Sequence, residues 1–317
     1  SESDLAIVKQ DWQIIIDKIK AGKAHEISEG DTMYLAACTK GANAKSMRKQ
    51  PFSDIPAKQR AYSLKNSYMT TYVRRILMNE DVISIFKPEE LKSKSVDELL
   101  HERFAPYIGR TLYELKRHIN FAENKNKAMY ANLVSDLLGI KGTSLDDTEE
   151  FAKANIKFKT IRLEPNGVPR EHMSFEQIDF DRWLNASWEE SQVYETFENT
   201  KFLFVVFQFT ETERENPNRV PYLKGIKLWN MPEQVIETEL KDLWQTVHDI
   251  LAVGVELTQT PRGVKNNLPG AKFNGVCHIR PKAANAADKV RLPDGQMITK
   301  QTYWLNREYI AEIVREL

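Results

Sequence analysis

Arg280, Lys282 and Asn285 lie close together in the segment CHIRPKAANAADKVRLPDG (277–295). An arginine fork can bond both acceptors of a guanine edge or two oxygens of a phosphate. A lysine supplies a point charge, and an asparagine supplies a paired donor and acceptor. Pro281 fixes the exit of the preceding strand, and the small residues after Lys282 let the backbone pass close to a partner. Binding of a polyanion is one reading of this segment; a basic turn that caps a sheet is the other, and charge alone leaves both open. Directly behind it, KQTYWLN (300–306) carries Lys300 and the aromatic pair Tyr303 and Trp304. Side chains alternate along a strand, so one ring of that pair faces the core and the other can stack on a sugar or rest on a thymine methyl.

A second chemistry is suggested by DDTEEFAKANIKFKT (146–160). Acids followed by a strand ending in Lys159 approach the pattern of metal-dependent nucleases: an acid, a spacer, then acid–x–lysine. There, carboxylates hold Mg²⁺ near the scissile phosphate and the lysine positions the attacking water. Two residues before Lys159, however, stands Lys157. A cation repels Mg²⁺ at the position where the pattern requires a ligand. An amphipathic strand after an acidic loop fits the same spacing.

These segments belong to a chain that partly repeats itself. Residues 11–69 echo 243–310 in three blocks in the same order. Trp12, Gln13, Asp17 and Gly22 match Trp244, Gln245, Asp249 and Gly254; Lys40, Ala42, Asn43 and Ala44 match Lys282, Ala284, Asn285 and Ala286; Tyr62, Leu64 and Tyr68 match Tyr303, Leu305 and Tyr309. Only the second copy has a long sequence before it. The expected organisation is therefore the tail of a first domain with its linker at 1–85, and a complete second domain at 86–317. The formal charge is zero, yet bases dominate 31–75 and 259–307, both inside the repeats, while acids crowd into 146–198. Recurrence of the basic surface favours a shared polyanionic ligand.

Elements follow from periodicity. Helical spacing covers 4–22, 96–104, 111–119, 128–139, 233–254 and 306–314. Strand patterns cover 32–38, 155–163, 172–180, 225–231, 275–281 and 298–305, and the apolar run KFLFVVFQF (201–209) predicts a strand covered on both faces. Residues 39–57 read as a basic loop, 55–77 turn helical toward their end, 142–150 form an acidic loop, and 210–221 form an exposed connection. The order is helices, then a mixed sheet, then a helix against it, an α/β (α+β) arrangement.

Composition narrows the class. A 41% hydrophobic and 28% charged chain is that of a globular protein. It contains no apolar run long enough to span a bilayer and no signal-peptide core at its start. Cys38 and Cys277 form no CxxC pair, which argues against structural zinc and disulfide scaffolds and suits a reducing cytoplasm. The six histidines have no metal-ligand spacing, and no phosphate loop, GxSxG elbow or HExxH helix is present.

IRPKAANA (279–286), YWL (303–305), FAKANIKFKTI (151–161) and GRTLYEL (109–115) together resemble the mismatch-repair nicking enzyme MutH and its restriction relatives. The run 9–70 is similar to the middle of the Sau-type GATC restriction endonucleases, which carry two MutH-like domains in tandem. That resemblance implies a MutH-like restriction-endonuclease fold with a central mixed β-sheet flanked by helices. It implies a first domain that cuts, using Mg²⁺, and a second that binds another GATC site as an allosteric effector. It places the metal-site acid at Lys157, an earlier acid at Glu150 and a further glutamate near Ser135, so that only Glu150 and Lys159 keep a suitable type. It assigns duplex contact to Arg280, Lys282, Tyr303 and Trp304. Asn285 and Lys300 extend that set from the residues themselves, and Lys40 and Asn43 are their first-copy counterparts. Cys38 stands where Arg280 stands in the second copy.

The expectation is a cytoplasmic DNA-binding effector module that does not cleave and takes no cofactor of its own. Its partners are GATC duplex, the missing N-terminal catalytic domain of the same enzyme and, through dimerisation on DNA, a second copy. An active Mg²⁺-dependent endonuclease using Asp147, Glu149 or Glu150 is the alternative. A protein-interaction module with incidental basic stretches is the third reading.

Overall fold

In the computed structural model, residues 1–40, 46–78, 82–121, 128–141, 143–261 and 263–317 are described. They divide into two compact units, the first comprising 1–167, 198–233 and Leu317, the second 168–197 and 234–316.

The first unit opens with α1 (Glu2–Lys20), started by a Ser1/Asp4 capping box. A hairpin-like pair follows: β1 (Leu35–Thr39) against β4 (Arg60–Leu64), with the small hairpin β2 (Met47–Gln50) and β3 (Ser53–Lys58) between them. Residues 39–57, expected as loop, thus contain a hairpin. Its strands are mostly exposed and charged, so no apolar alternation announces them. Helix α2 (Asn66–Leu77) completes the partial copy.

Next come α3 (Pro88–Ser93), α4 (Val96–Phe104), α5 (Leu112–His118), α6 (Met129–Leu137) and α7 (Glu149–Ala154). Ser95/Glu98 and Thr111/Glu114 box the starts of α4 and α5. The sheet consists of β5 (Ile156–Leu163), then β7 (Lys201–Gln208), then β8 (Tyr222–Trp229) in spatial order, β5 parallel and β8 antiparallel to β7. This is the central mixed sheet that the resemblance implied. Central β7 is buried through Phe207, and each such Phe or Val contributes about 1.5–3 kcal/mol over its exposed state.

Ile7 of α1 and Tyr34 join the core made by Phe86, Leu99, Phe104, Val134 and the sheet. The partial copy is therefore built into this unit. Lys153, buried on α7, bonds Asp4 at 2.9 Å and Glu149 at 2.7 Å, with its ammonium over the rings of Tyr34 and Tyr68. Lys65, also buried, donates to the carbonyls of Thr32 (2.7 Å) and Ala154 (3.3 Å). Burial lowers its pKa to about 8.

The second unit holds β6 (Met173–Gln177), α8 (Phe180–Asn185) and most of α9 (Gln192–Asn199). It continues after the short α10 (Glu233–Val235) through a π-turn at Ile236–Leu240 into α11 (Lys241–Val253). Hairpin β9 (Leu257–Thr260) and β10 (Gly263–Asn266) follows, then β11 (Cys277–Pro281), hairpin β12 (Lys289–Arg291) and β13 (Met297–Thr299), β14 (Gln301–Leu305) and α12 (Arg307–Ile313). The sheet order is β11, β14, β6.

The repeat is structural as well as sequential. Leu35 pairs with Leu64, Cys38 with Ala61 and Thr39 with Arg60. Their repeat counterparts pair identically: Cys277 with Leu305, Arg280 with Thr302 and Pro281 with Gln301. Even the helix-surface bond recurs, Gln13 to Asp17 at 2.7 Å and Gln245 to Asp249 at 2.8 Å. Both helices are followed by a glycine at positive φ, Gly22 and Gly254. At Gly22 a Cβ would meet the Phe52 carbonyl oxygen at 2.6 Å.

Candidate nucleic-acid interface

In the second unit, alternation along β11 buries Ile279 and turns Arg280 outward. The Arg280 guanidinium lies over the Trp304 ring, 5.7 Å from its centre. Trp304 Nε1 donates to the Arg280 carbonyl at 3.2 Å, so one side chain holds both ends of the arginine. Lys282 is exposed, and its Nζ donates to Ser174 Oγ on β6 at 2.8 Å.

The turn after Lys282 is folded upon itself. Asn285 Oδ1 accepts from the Ala287 amide at 2.9 Å, leaving its NH₂ end to donate outward. Asp288 accepts from the Ala284 amide at 3.0 Å and pairs with Lys300 at 2.7 Å. The Lys300 bond holds the Asp288 carboxyl below its usual range. Lys300 is consequently a clamp on this turn, its charge largely compensated. Arg280, Lys282, Asn285, Lys300 and Trp304 come together at one end of the β11–β14 pair.

Tyr303 is placed differently from the rest. It is 1% exposed, its hydroxyl bonds Thr196 at 2.9 Å, and its ring stacks with Phe175. It is the inward-facing member of the aromatic pair and not a ligand contact. His278, one position from Cys277, is also buried, with Nδ1 2.5 Å from Asn306 Oδ1 and its ring edge-on to His172. Burial lowers its pKa to about 4.

Sequence reasoning missed Ser174 and Asp288 as partners of the basic turn. Asp288 carried a signal, four residues after Ala284 in a Gly- and Pro-flanked loop; Ser174 carried none.

In the first unit, Lys40 is exposed beyond β1, its amide donating to the Gln59 carbonyl at 2.7 Å. Asn43 lies outside the described residues. Cys38 is half-buried opposite Ala61, and burial pushes its thiol up to about 11.

The residues of the nuclease pattern are also in this unit, and they do not converge as ligands. Glu150 on α7 is 1% exposed and turned inward, accepting from the Ser84 hydroxyl and from the Ile85 amide at 3.0 Å. Burial raises its pKa. Glu149 pairs with Arg75 and Lys153, both at 2.7 Å. Asp146 accepts from the Phe158 amide at 2.7 Å and faces Lys157 at 3.9 Å. Burial raises its carboxyl. Lys157 and Lys159 project from the same side of β5, and Ser135 lines a cleft beside Phe158 with Asn132 and Asp136. Among the described residues, no three His, Cys, Asp or Glu side chains are grouped to hold a metal. Mg²⁺ requires several oxygen ligands in near-octahedral geometry, and this donor set does not fit it.

A mixed sheet in one unit and an exposed basic turn in the other are what a DNA-processing protein would present. Residues 138–242 match the family described as DNA mismatch repair enzyme MutH. The chain is 38% identical to the type II restriction enzyme Sau3AI of Staphylococcus aureus, in an alignment covering 99% of this chain and 71% of that protein. It is 28% identical to the MutH protein of Vibrio campbellii over 59% of this chain and 77% of that protein. For MutH of Histophilus somni the identity is 25%, covering 68% and 93%. The chain belongs to the MutH-like type II restriction endonucleases. No helix among the described residues is long and apolar enough to cross a membrane.

Proposed function

We propose that this chain binds GATC-containing duplex DNA through the Arg280 hairpin and does not itself cut it. The reading is supported chiefly by the β5 region: Lys157 stands where a metal carboxylate is needed, while Glu150 and Asp146 are committed to backbone amides. Arg280, its guanidinium over the Trp304 ring, offers its fork to the O6 and N7 of a guanine in the major groove. Lys282 exchanges a neutral hydroxyl partner for a phosphate, a transfer that costs its charge little desolvation. The amide of Asn285 donates to an adjacent acceptor.

On this reading residues 1–85 are the tail and linker of a first MutH-like domain, and 86–317 are a complete second one. The module acts in the cytoplasm as an effector of an N-terminal catalytic domain that carries the Mg²⁺ chemistry. Two copies dimerise on the duplex.

The test is fluorescence anisotropy on a GATC duplex and a scrambled duplex across a salt series, followed by incubation with GATC plasmid and Mg²⁺. Preference for GATC without cutting is expected. Efficient cutting would establish the alternative, an active Mg²⁺-dependent endonuclease. No binding at low salt would leave only a protein-interaction module.

A further inference from the structure

Behind the Arg280–Trp304 pair lies a buried imidazole that the proposed DNA contact does not use. His278 shares the sheet face of Arg280, two residues along β11, and sits directly across from Trp304. The His278 and Trp304 rings are near-parallel, at 17°, with centres 6.5 Å apart. The same indole carries the Arg280 guanidinium and bonds the Arg280 carbonyl. His278 is 1% exposed, so it supports the indole from within and cannot reach a duplex.

Asn306 fixes the imidazole in one tautomer. Its Nδ2 donates to the Ala271 carbonyl at 2.9 Å, and that carbonyl can only accept. The amide oxygen therefore faces His278 Nδ1, which must carry the proton of their 2.5 Å bond. Nε2 is left with a lone pair and no hydrogen-bond partner among the described residues. Edge-on to His278 stands His172, whose Nδ1 accepts from the Arg307 amide at 3.1 Å. The charged groups around the two rings are Arg280 on β11 and Arg307 with Glu308 on α12, two cations against one anion. A proton on Nε2 would meet net positive surroundings and no acceptor.

The first copy supplies the contrast. By register, Ala36 stands at the place of His278, Cys38 at that of Arg280 and Ser63 at that of Trp304. Lys65, the residue after β4, takes the place of Asn306 and bonds the Thr32 and Ala154 carbonyls instead. Imidazole, guanidinium, indole and amide are replaced together while the strand pairing is kept. Joint replacement is expected of four groups that form one device.

We infer that His278 is a positioning residue for sequence reading: Asn306 holds it as a neutral imidazole whose face seats the Trp304 indole, and the indole in turn aims the Arg280 fork. This role presupposes that Arg280 reads a base, as proposed above.

The test compares His278→Asn, which keeps a donor for Asn306 but removes the ring, with His278→Phe, which keeps the ring. Anisotropy on GATC and scrambled duplexes gives the ratio of affinities, and a salt series reports the phosphate contacts. His278→Asn should lower the ratio at least about threefold with the salt slope unchanged, and His278→Phe should recover part of that loss. In an Arg280→Ala background neither substitution should alter the ratio. A merely structural role would weaken both duplexes alike, so an unchanged ratio in His278→Asn overturns the inference. A loss that persists in the Arg280→Ala background overturns it as well, as does a His278→Phe variant no better than His278→Asn. If Arg280→Ala leaves the ratio of wild type unchanged, the base reading fails and this role with it; if Arg280→Ala lowers the ratio and His278→Asn does not, only this role fails. Circular dichroism checks both folds, and the wild type provides an arm that needs no substitution. Its ratio should stay level from about pH 8 to about 5.5, because His278 is neutral throughout; a collapse with a midpoint near the ordinary histidine value of about 6.5 overturns the inference.

Discussion

Arg280→Ala is the sharpest perturbation of the proposed interface. The guanidinium is exposed, and its backbone is fixed by β11–β14 pairing, so removal changes no core contact. A bidentate arginine–guanine contact discriminates by about 1–3 kcal/mol, which is roughly 5- to 150-fold in affinity. Trp304 carries part of that effect indirectly, since its ring lies 5.7 Å from the guanidinium and its Nε1 anchors the Arg280 carbonyl. A partly exposed cation–π contact is worth about 0.5–1 kcal/mol. Trp304→Ala should therefore lose less than Arg280→Ala, and the two losses should not add. The assay is a double-mutant cycle by anisotropy on GATC and scrambled duplexes at fixed salt. If Arg280→Ala weakens both duplexes equally, the arginine contacts phosphate and reads no base. If the two losses add fully, Trp304 touches DNA in its own right.

Other outcomes follow from the same structure. Lys282→Ala should weaken binding to every sequence and flatten the log–log salt dependence by about 0.9, the share of one phosphate contact. Glu150→Ala removes the acceptor of the half-buried Ile85 amide and should cost about 1–3 kcal/mol in denaturant unfolding; an unchanged midpoint would mean the carboxylate bears no structural role. Lys157→Glu alone should not create Mg²⁺-dependent nicking, since Glu150 still faces inward; plasmid assays detect the contrary. His278 has a folded pKa depressed to about 4 against 6.5, so the unfolded chain binds the extra proton between those values. Stability contributed there is present above about 6.5 and declines by roughly 3 kcal/mol as pH falls to 4. As pH falls from 6.5 to 4, the thermal midpoint of wild type should drop relative to that of His278→Asn, which lacks this titration.

The sequence exposed the fold where one face is buried and one is wet. The apolar run that became β7 and the amphipathic α1 and α11 were legible because burial imposes their periods. Hairpins β2–β3 and β9–β10 were not, because neither buries a continuous face and their pairing is specified by turns. Of the site, Arg280 and Lys282 were legible as charges in a strand-exit context. What Glu150 does was not. Its carboxylate type suits a metal, yet the direction of α7 turns it toward Ile85, and direction is a tertiary property. The same holds for Tyr303 and Trp304. Alternation says that one faces inward, but only the presence of Phe175, Phe197 and Trp183 decides which.

The paired hairpins bear on how many duplexes a chain can hold. Cys38 occupies the strand position of Arg280, and Ser63 occupies that of Trp304. The first copy has thus lost both the fork and the ring that supports it, while keeping the strand pairing. Its thiol, pushed up to about 11 by burial, stays neutral near pH 7 and contributes no charge to a phosphate either. Lys40, Arg48 and Lys49 remain exposed, but such charges add screened, sequence-independent contacts. Each chain should therefore hold no more than one GATC duplex with sequence preference. Cys38→Arg should not raise that number, because the new guanidinium would meet Ser63 instead of an indole face and would remain mobile. Titration of labelled duplex at concentrations far above the dissociation constant measures the stoichiometry directly. Two specific duplexes per chain, in wild type or in Cys38→Arg, would show that hairpin register alone is enough for recognition and that the Arg280–Trp304 pair is not its basis.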